Sequence, residues 1–369
     1  MTPLRILHSE AATGMGGQEQ YILRMLKAMR ERGHHMELVC QPQAPLGQRV
    51  REEGFTVHET PMDPPLNFVR SIAAIRKILR QGKFDVLNCH SRRDTLVAGS
   101  GGRLAGTPLI VRTRHLASKV GSMLSYTVIP HRVTAASDFV SNYLVERGVP
   151  RDHVATVYPA VDLQPRPPHS TLRQELGLTR DDVVVGCVAV MRLQKGHKEL
   201  IAAMEPIIRA RANVHLVIVG GGAAAVVDGV KAQVQALGLE HRIHFTGTRR
   251  DVPNLLAGCD LFALATRIEA SGTAFVEAGA AGLPVVGTRV GGVPEMIRDG
   301  ETGILVPLDD QQALTSALLR LIDDPDLRRE MGNAGLMYCR EGDNFGPAKM
   351  AERIETCYVR WLKERRGLV

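Results

Sequence analysis

The run Thr266-Arg267-Ile268-Glu269-Ala270-Ser271-Gly272-Thr273-Ala274-Phe275-Val276-Glu277-Ala278-Gly279-Ala280-Ala281-Gly282-Leu283-Pro284-Val285-Val286 decides the fold. It reads as a strand end, a loop, a helix, a turn and the next strand. The apolar residues 261–265 lead into it, and Gly282-Leu283-Pro284 separates the helical pattern from a second apolar run. Ser271, Gly272 and Thr273 fall where the helix begins. A helix N-terminus offers unpaired N–H groups and a positive dipole end, which suit a phosphate. Gly272 lets a ligand approach the backbone. Glu269 and Glu277 flank this point, and carboxylates there accept hydrogen bonds from sugar hydroxyls.

The same alternation extends outward in both directions. The second half has strand patterns at 183–190, 214–219, 242–246, 260–265, 284–288 and 303–306, with helices near 196–211, 224–237, 273–282 and 310–323. The first half has strands at 4–8, 36–40, 85–90, 109–113, 132–135 and 154–157, with helices near 17–32, 67–81, 93–104 and 137–148. Strands alternating with helices imply parallel sheets covered on both faces, with ligands at the carboxyl ends of the strands. A chain of 369 residues suits two such α/β doubly wound domains. Residues 158–169 carry four prolines and no periodic pattern, so they mark the linker. The domains are therefore 1–165 and 166–344. A last helical pattern near 347–366 holds Tyr358 and Trp361.

Charge is uneven. Of 46 basic and 39 acidic residues, 21 and 14 fall in residues 1–165, which leaves 25 of each sign beyond. The first half thus favours an anionic partner, such as a phosphorylated acceptor, an acidic lipid surface or nucleic acid, although an Arg-rich composition also arises without function. Aromatics at 4% are too few for a nucleic-acid stacking platform. No window holds the ~18 apolar residues of a membrane span. The opening residues lack a signal peptide's apolar core, so the cytoplasm is the expected compartment. The six cysteines form no CxxC pair and read as reduced and buried, not as zinc ligands.

Other motifs sit at strand ends. Gly14-Met15-Gly16-Gly17-Gln18-Glu19 follows the first strand and opens the first helix, where Gly16 and Gly17 can turn amides toward a phosphate or sugar. An ordinary turn would read the same way. Arg192 and Lys195 follow the strand at 183–190. Lys195-Gly196 does not suit a helix interior, and the dipole disfavours a cation at a helix start, which points to an anion there. Gly221, within Gly220-Gly221-Gly222, lets a ligand approach or simply lets the chain turn. Gly291-Gly292-Val293-Pro294-Glu295 precedes a helix, and its amides can hold a diphosphate with Glu295 near the donor. His90 and His115 end two strands of the first half, with Arg92, Arg93, Arg112 and Arg114 around them. His115 is the one expected to touch the ligand. The pairs Asp181-Asp182, Asp309-Asp310 and Asp323-Asp324 read as caps. A DxD metal anchor is missing, so no metal ligand is expected.

Taken together, Glu269-x7-Glu277 with Gly272 between, Arg192-x2-Lys195-Gly196, Gly16-Gly17-x-Glu19 and Gly291-Gly292-x-Pro294-Glu295 resemble the family 4 retaining glycosyltransferases. The likeness covers nearly the whole chain and is similar to the branch that builds lipopolysaccharide core. It implies the GT-B architecture of two Rossmann-like domains facing a cleft, with the last helix returning to the first domain. Arg192 and Lys195 would then bind the donor diphosphate. Glu269 would hold the sugar hydroxyls beside the amides of Gly272 and Thr273, and Glu277 the ribose. Gly16 and Gly17 would touch the diphosphate or acceptor, and His115 the sugar near its 6-hydroxyl. Many members carry Glu-Gly-Phe-Gly where this chain has Ala270 and Ser271, which leaves the donor open. At the linker, Pro159-Ala160-Val161-Asp162 replaces the frequent Asn-Gly-Val-Asp.

The resemblance implies transfer of a hexose from a nucleotide-diphosphate sugar, UDP-sugar first and GDP-sugar second, to an anionic glycan or glycolipid such as lipopolysaccharide core. No cofactor or metal is required, no nucleic acid is bound, and the basic half would contact the inner membrane peripherally. Retaining glycosidases hold two carboxylates about 5–5.5 Å apart. Here the departing phosphate itself is expected to take the acceptor proton, which calls for positive charge on that phosphate. A nucleotide-sugar 2-epimerase of the same fold and a non-catalytic nucleotide-sugar binder are the rival readings.

Overall fold

The computed structural model describes residues 2–63, 67–161, 163, 167, 169–340 and 345–368. The described chain divides into one unit of Met1–Ala160 with Gly346–Val369, and a second of Val161–Phe345. The boundary expected at 165/166, the end at 344, and Asp162, 164–166 and 168 of the linker lie outside the described residues.

The first unit is built on β1 (Arg5–Glu10), β2 (His35–Cys40), β3 (Thr56–Glu59), β4 (Val86–Cys89), β5 (Leu109–Arg114), β6 (Arg132–Ala135) and β7 (Val154–Thr156). All pairings are parallel, in the order β3-β2-β1-β4-β5-β6-β7. Side chains alternate between faces along a strand, and the core follows that rule. Ile6, Leu38, Val86, Leu109 and Val111 join one buried cluster with the helix Gly17–Glu31 and the last helix, Pro347–Arg365. Leu7, Val39, Leu87 and Ile110 join the other, against Ile75 and Leu79 of the helix Phe68–Gly82.

The last helix is bound firmly to this unit. Tyr358 and Trp361 are fully buried. The Tyr358 hydroxyl accepts from Asn88 at 2.7 Å, and Glu355, itself buried, meets Arg32 and His34.

The second unit has β8 (Val183–Val188), β9 (Val214–Val219), β10 (Ile243–Gly247), β11 (Leu261–Leu264), β12 (Val285–Thr288) and β13 (Gly303–Val306). They too are parallel, in the order β10-β9-β8-β11-β12-β13. Strand order reverses between β1 and β4 in one sheet and between β8 and β11 in the other. Those switch points are where α/β sheets open to ligands. In the second unit β8 pairs with β11 only through Val185 and Gly186, then runs on beside β9. The carboxyl ends of β8 and β11 therefore part.

Several expectations need correction. The helix expected over 93–104 is interrupted by a wide π-type turn at Thr95–Gly99. There the Thr95 hydroxyl bonds to Ser91 O, and a Cβ on Gly99 would press on Ile129 at 2.5 Å. No full helix follows Gly291-Gly292, only the single 3₁₀ turn Val293–Glu295. Asp310 caps a helix, accepting from the Ala313 amide at 2.8 Å, and Asp324 accepts from the Leu327 amide at 2.9 Å. Asp309 and Asp323 do not cap; they form ion pairs with Arg267 and Arg211. Five cysteines are buried, Cys357 is half-buried, and all are free. Among the described residues no helix is long and apolar enough to cross a membrane.

Candidate active site

Three loops at the carboxyl edge of the second sheet lock onto one another. After β8 the chain stays extended through Arg192, makes a 3₁₀ turn at Leu193–Lys195, and enters the helix His197–Ala210 through Gly196. Gly196 has φ +68°, and a Cβ there would lie 1.7 Å from the Ala265 carbonyl oxygen. Only glycine permits that approach. The loop after β11 answers with its backbone: the Arg267 amide and the Thr266 hydroxyl donate to Gln194 O at 2.7 and 3.1 Å. The loop after β12 completes the set. Gly291, at φ +55°, would place a Cβ 1.9 Å from Glu269 O, and the Gly292 amide donates to that oxygen at 3.2 Å.

This clamping brings together two of the expected site residues. Lys195 Nζ donates to Glu269 Oε2, while Glu269 Oε1 accepts from the Ala270 amide at 3.2 Å. The pair is mostly shielded, with side-chain exposures of 25% and 15%. Arg192 stands exposed at the start of the same turn. Gly272, at φ +80°, starts the helix Thr273–Ala280 without a side-chain cap; the Phe275 amide turns back to Gly272 O at 3.0 Å, while the Thr273 and Ala274 amides stand at the positive end of the dipole. Ser271 is buried, and Glu277 is half-buried one turn into the helix. Glu295 lies in the 3₁₀ turn, where its carbonyl accepts from the Tyr338 hydroxyl at 3.2 Å.

Gly221 has a structural explanation of its own. Its carbonyl accepts from the Met191 amide at 2.8 Å, and a Cβ would lie 2.5 Å from the Thr248 hydroxyl. Gly222 likewise abuts Met191 O. The tight turn alone requires these glycines.

In the first unit, Gly16 precedes the helix Gly17–Glu31, and its amide donates to Glu19 at 2.7 Å. A Cβ on Gly17 would meet nothing within 4 Å, and neither glycine has a positive φ. Neither local crowding nor conformation calls for Gly17, unlike Gly196 or Gly291. His115 follows β5 and ends a chain of imidazoles. His8 Nδ1 meets His90 Nε2 at 2.8 Å, and His90 Nδ1 meets His115 Nε2 at 3.0 Å. Burial pushes His8 and His115 down to about 3, with Arg112 adding to the effect at His115. Burial and its two neighbours push His90 down as well, so all three rings are neutral.

Sequence reading passed over the acids beside this chain. Glu10 accepts from the Ala12 amide at 2.9 Å and from Gln18. Burial first, then the charge of Asp94, raises its carboxyl to about 8. Asp94 receives Ser9, the His90 amide and Ser91 at 2.7–2.8 Å. Also passed over was a cavity of about 300 Å³ whose lining includes His115, Arg112 and Arg114. The available signal was the i, i+2 spacing of the two arginines, which puts them on one face of a strand. Among the described residues no group of three or more His, Cys, Asp or Glu is arranged to hold a metal.

Comparison with known proteins gives the family and the fold. Residues 15–165 match the family described as Glycosyltransferase Family 4, and residues 169–336 match Glycosyl transferases group 1. The chain belongs to the family 4 glycosyltransferases. It is 30% identical over 236 residues to the N-acetyl-alpha-D-glucosaminyl L-malate synthase of Bacillus anthracis, covering 63% of this chain and 60% of that relative. It is 22% identical to the Escherichia coli UDP-Gal:alpha-D-GlcNAc-diphosphoundecaprenol alpha-1,3-galactosyltransferase, covering 96% and 97% of the two chains. Among solved structures, Anabaena HepE in complex with UDP and glucose superposes with a TM-score of 0.84 at 22% identity, covering 96% and 99%. That likeness shows the fold. The chain thus spans only three-fifths of the first relative's length.

Proposed function

We propose that this chain is a retaining, metal-independent hexosyltransferase. It moves a hexose from a nucleotide-diphosphate sugar, UDP-sugar first, to a hydroxyl of a cell-envelope glycan or glycolipid such as lipopolysaccharide core. The observation that carries the reading is the Lys195–Glu269 pair, held by glycine-dependent loop contacts beside the uncapped start of the helix Thr273–Ala280. That site offers a cation and free amides to a diphosphate, and a carboxylate to sugar hydroxyls, within one unit. The UDP-dependent relative and the UDP complex of the similar fold support the choice of base.

In this mechanism the second unit takes the donor. Arg192 and Lys195 neutralise the diphosphate, and Glu269 accepts from the sugar's hydroxyls as Lys195 turns to the phosphate. The bond from the anomeric carbon to the leaving phosphate oxygen breaks. The acceptor oxygen bonds to that carbon on the same face, and its proton passes to the departing phosphate. Positive charge fixed at the leaving oxygen lowers this barrier directly, and such groups contribute roughly 10²–10³ in rate. The first unit, with its basic excess and open Gly17 backbone, takes the acceptor and lies against an anionic membrane surface.

The test is UDP release and product anomer from UDP-hexose with a crude glycolipid acceptor. Lys195→Ala lowers turnover by about 10² or more with little loss of stability, EDTA leaves turnover unchanged, and the product keeps the donor's configuration. Wild-type turnover in Lys195→Ala contradicts the assignment, and epimerised nucleotide-sugar without acceptor shows an isomerase instead.

A further inference from the structure

One cluster of positive charge in the first unit has no carboxylate partner among the described residues. The cavity of about 300 Å³ is lined by Arg92, Arg112, Arg114 and Lys119, with His115 beside them and no Asp or Glu in its lining. Among the described residues, no carboxylate forms an ion pair with any of these four cations, whereas neighbouring Arg93 pairs with Asp63 at 2.6 Å.

Arg112 and Arg114 are buried, at 5% and 6% exposure, and the Nε of each has no hydrogen-bond partner. Only neutral groups hold them. Arg112 Nη1 donates to Ser125 O at 3.3 Å and its guanidinium lies 3.9 Å over the Tyr126 ring. Arg114 donates to the Tyr126 hydroxyl and to Ser118 O. Burying charge without a counter-charge is costly. Asp94 is the acid that acts on Arg112 from a distance, but its oxygens are already occupied by Ser9, Ser91 and the His90 amide. Two preset guanidiniums, with a third and an ammonium at the rim, match the several oxygens of a phosphate better than a single carboxylate.

The imidazole chain adds a donor. With all three rings neutral, each of the two ring–ring contacts carries one proton. If His115 donated inward, His8 Nε2 would hold a buried N–H with no acceptor, since that nitrogen has no partner. Orphaned buried N–H groups are the rarer and costlier case. The protons therefore run from His8 to His90 to His115 and leave the N–H of His115, which lines the cavity, on Nδ1.

We infer that this cavity seats a phosphate group carried by the acceptor, gripped by Arg112, Arg114 and His115 with Arg92 and Lys119 at the rim. The inference rests on the proposed function, in which the first unit takes the acceptor. A cavity this small takes a head group, not an extended glycan.

Calorimetric titration of the full chain with inorganic phosphate and with sn-glycerol 3-phosphate tests it, alongside flotation with phosphatidylcholine vesicles containing or lacking phosphatidic acid. Arg92 and Lys119 are exposed, so the double variant R92Q/K119Q folds. It is expected to bind glycerol 3-phosphate about tenfold more weakly or worse, while UDP binding is unchanged and R92K/K119R keeps wild-type affinity. R114Q weakens phosphate binding further if its melting temperature shows it folded. Flotation that depends on phosphatidic acid and on Arg92 and Lys119 assigns the phosphate to a lipid head group; binding of glycerol 3-phosphate alone assigns it to a soluble acceptor. Phosphate affinity equal in wild type and R92Q/K119Q overturns the inference. So does glycerol 3-phosphate binding that is wholly abolished by saturating UDP, or a wild type that binds UDP but no glycerol 3-phosphate. Failure to bind any nucleotide or nucleotide-sugar would instead strike the proposed function.

Discussion

Gly196→Ala isolates the contact on which the donor site's geometry depends. The substitution forces an alanine to hold φ +68° and sets its Cβ 1.7 Å from Ala265 O. The left-handed conformation costs about 1–2 kcal/mol for a residue with a side chain. Displacing a packed backbone carbonyl adds about 1–3 kcal/mol. The total is roughly 2–5 kcal/mol. In a unit the size of Val161–Phe345, each kcal/mol lowers Tm by about 2–4 °C, so a fall of roughly 4–20 °C is expected. Gly238→Ala is the control. It has the same helix-flanking conformation, φ +66°, but its Cβ would meet nothing within 4 Å, so only the conformational cost of about 1–2 kcal/mol applies. Differential scanning calorimetry measures both. The loop shift also carries Lys195 away from Glu269. Misplacing a catalytic group by about 1 Å costs on the order of 10² in rate, so G196A loses kcat/KM while G238A keeps it. Equal Tm losses in the two variants, or wild-type kcat/KM in a folded G196A, would refute the reasoning.

Other expectations can be checked separately. Trp361→Ala removes a fully buried ring from the junction of the last helix with the first unit, and costs about 3–5 kcal/mol by denaturant unfolding. A loss under about 1 kcal/mol would place that helix outside the cooperative core. The Glu10 carboxyl keeps its proton in the folded chain up to about pH 8, whereas the unfolded chain has released it above about 4.5. Stability therefore falls as pH rises through that window, and Glu10→Gln removes this part of the slope. Parallel Tm-against-pH curves for the two proteins would contradict it. The neutral histidines act oppositely: their folded pKa values are lowered, so their contribution is full above about 6.5 and lost as pH falls below it. His8→Gln should flatten the acid limb.

Much of the architecture was legible because each strand of these sheets is a short apolar run between helical patterns. The expected strands at 132–135, 214–219 and 303–306 coincide with β6, β9 and β13. What escaped was edge or small-residue structure. β3, Thr56–Glu59, is a half-exposed edge strand with one apolar residue, Val57. The helix Pro325–Arg340 has Gly332 and Gly335 in its interior, which reads as breakage in sequence. In space those glycines let it press on the helix Thr273–Ala280 and its following turn, where a Cβ on Gly332 would lie 2.2 Å from Gly282 O. The site was legible residue by residue but not as contacts. Nothing local relates Lys195 to Glu269, 74 positions away, or shows that Glu10, Asp94 and three histidines share one corner of the first unit. Those associations arise from strand order, which brings β1 beside β4 and β8 beside β11.

The most direct measurement is calorimetric titration of UDP-hexose into the wild-type chain, Lys195→Ala and Glu269→Ala, each verified as folded. The wild type is expected to bind tightly, Lys195→Ala to lose affinity for UDP as well as UDP-hexose, and Glu269→Ala to lose only the hexose contribution. Binding by both variants at wild-type strength would contradict it.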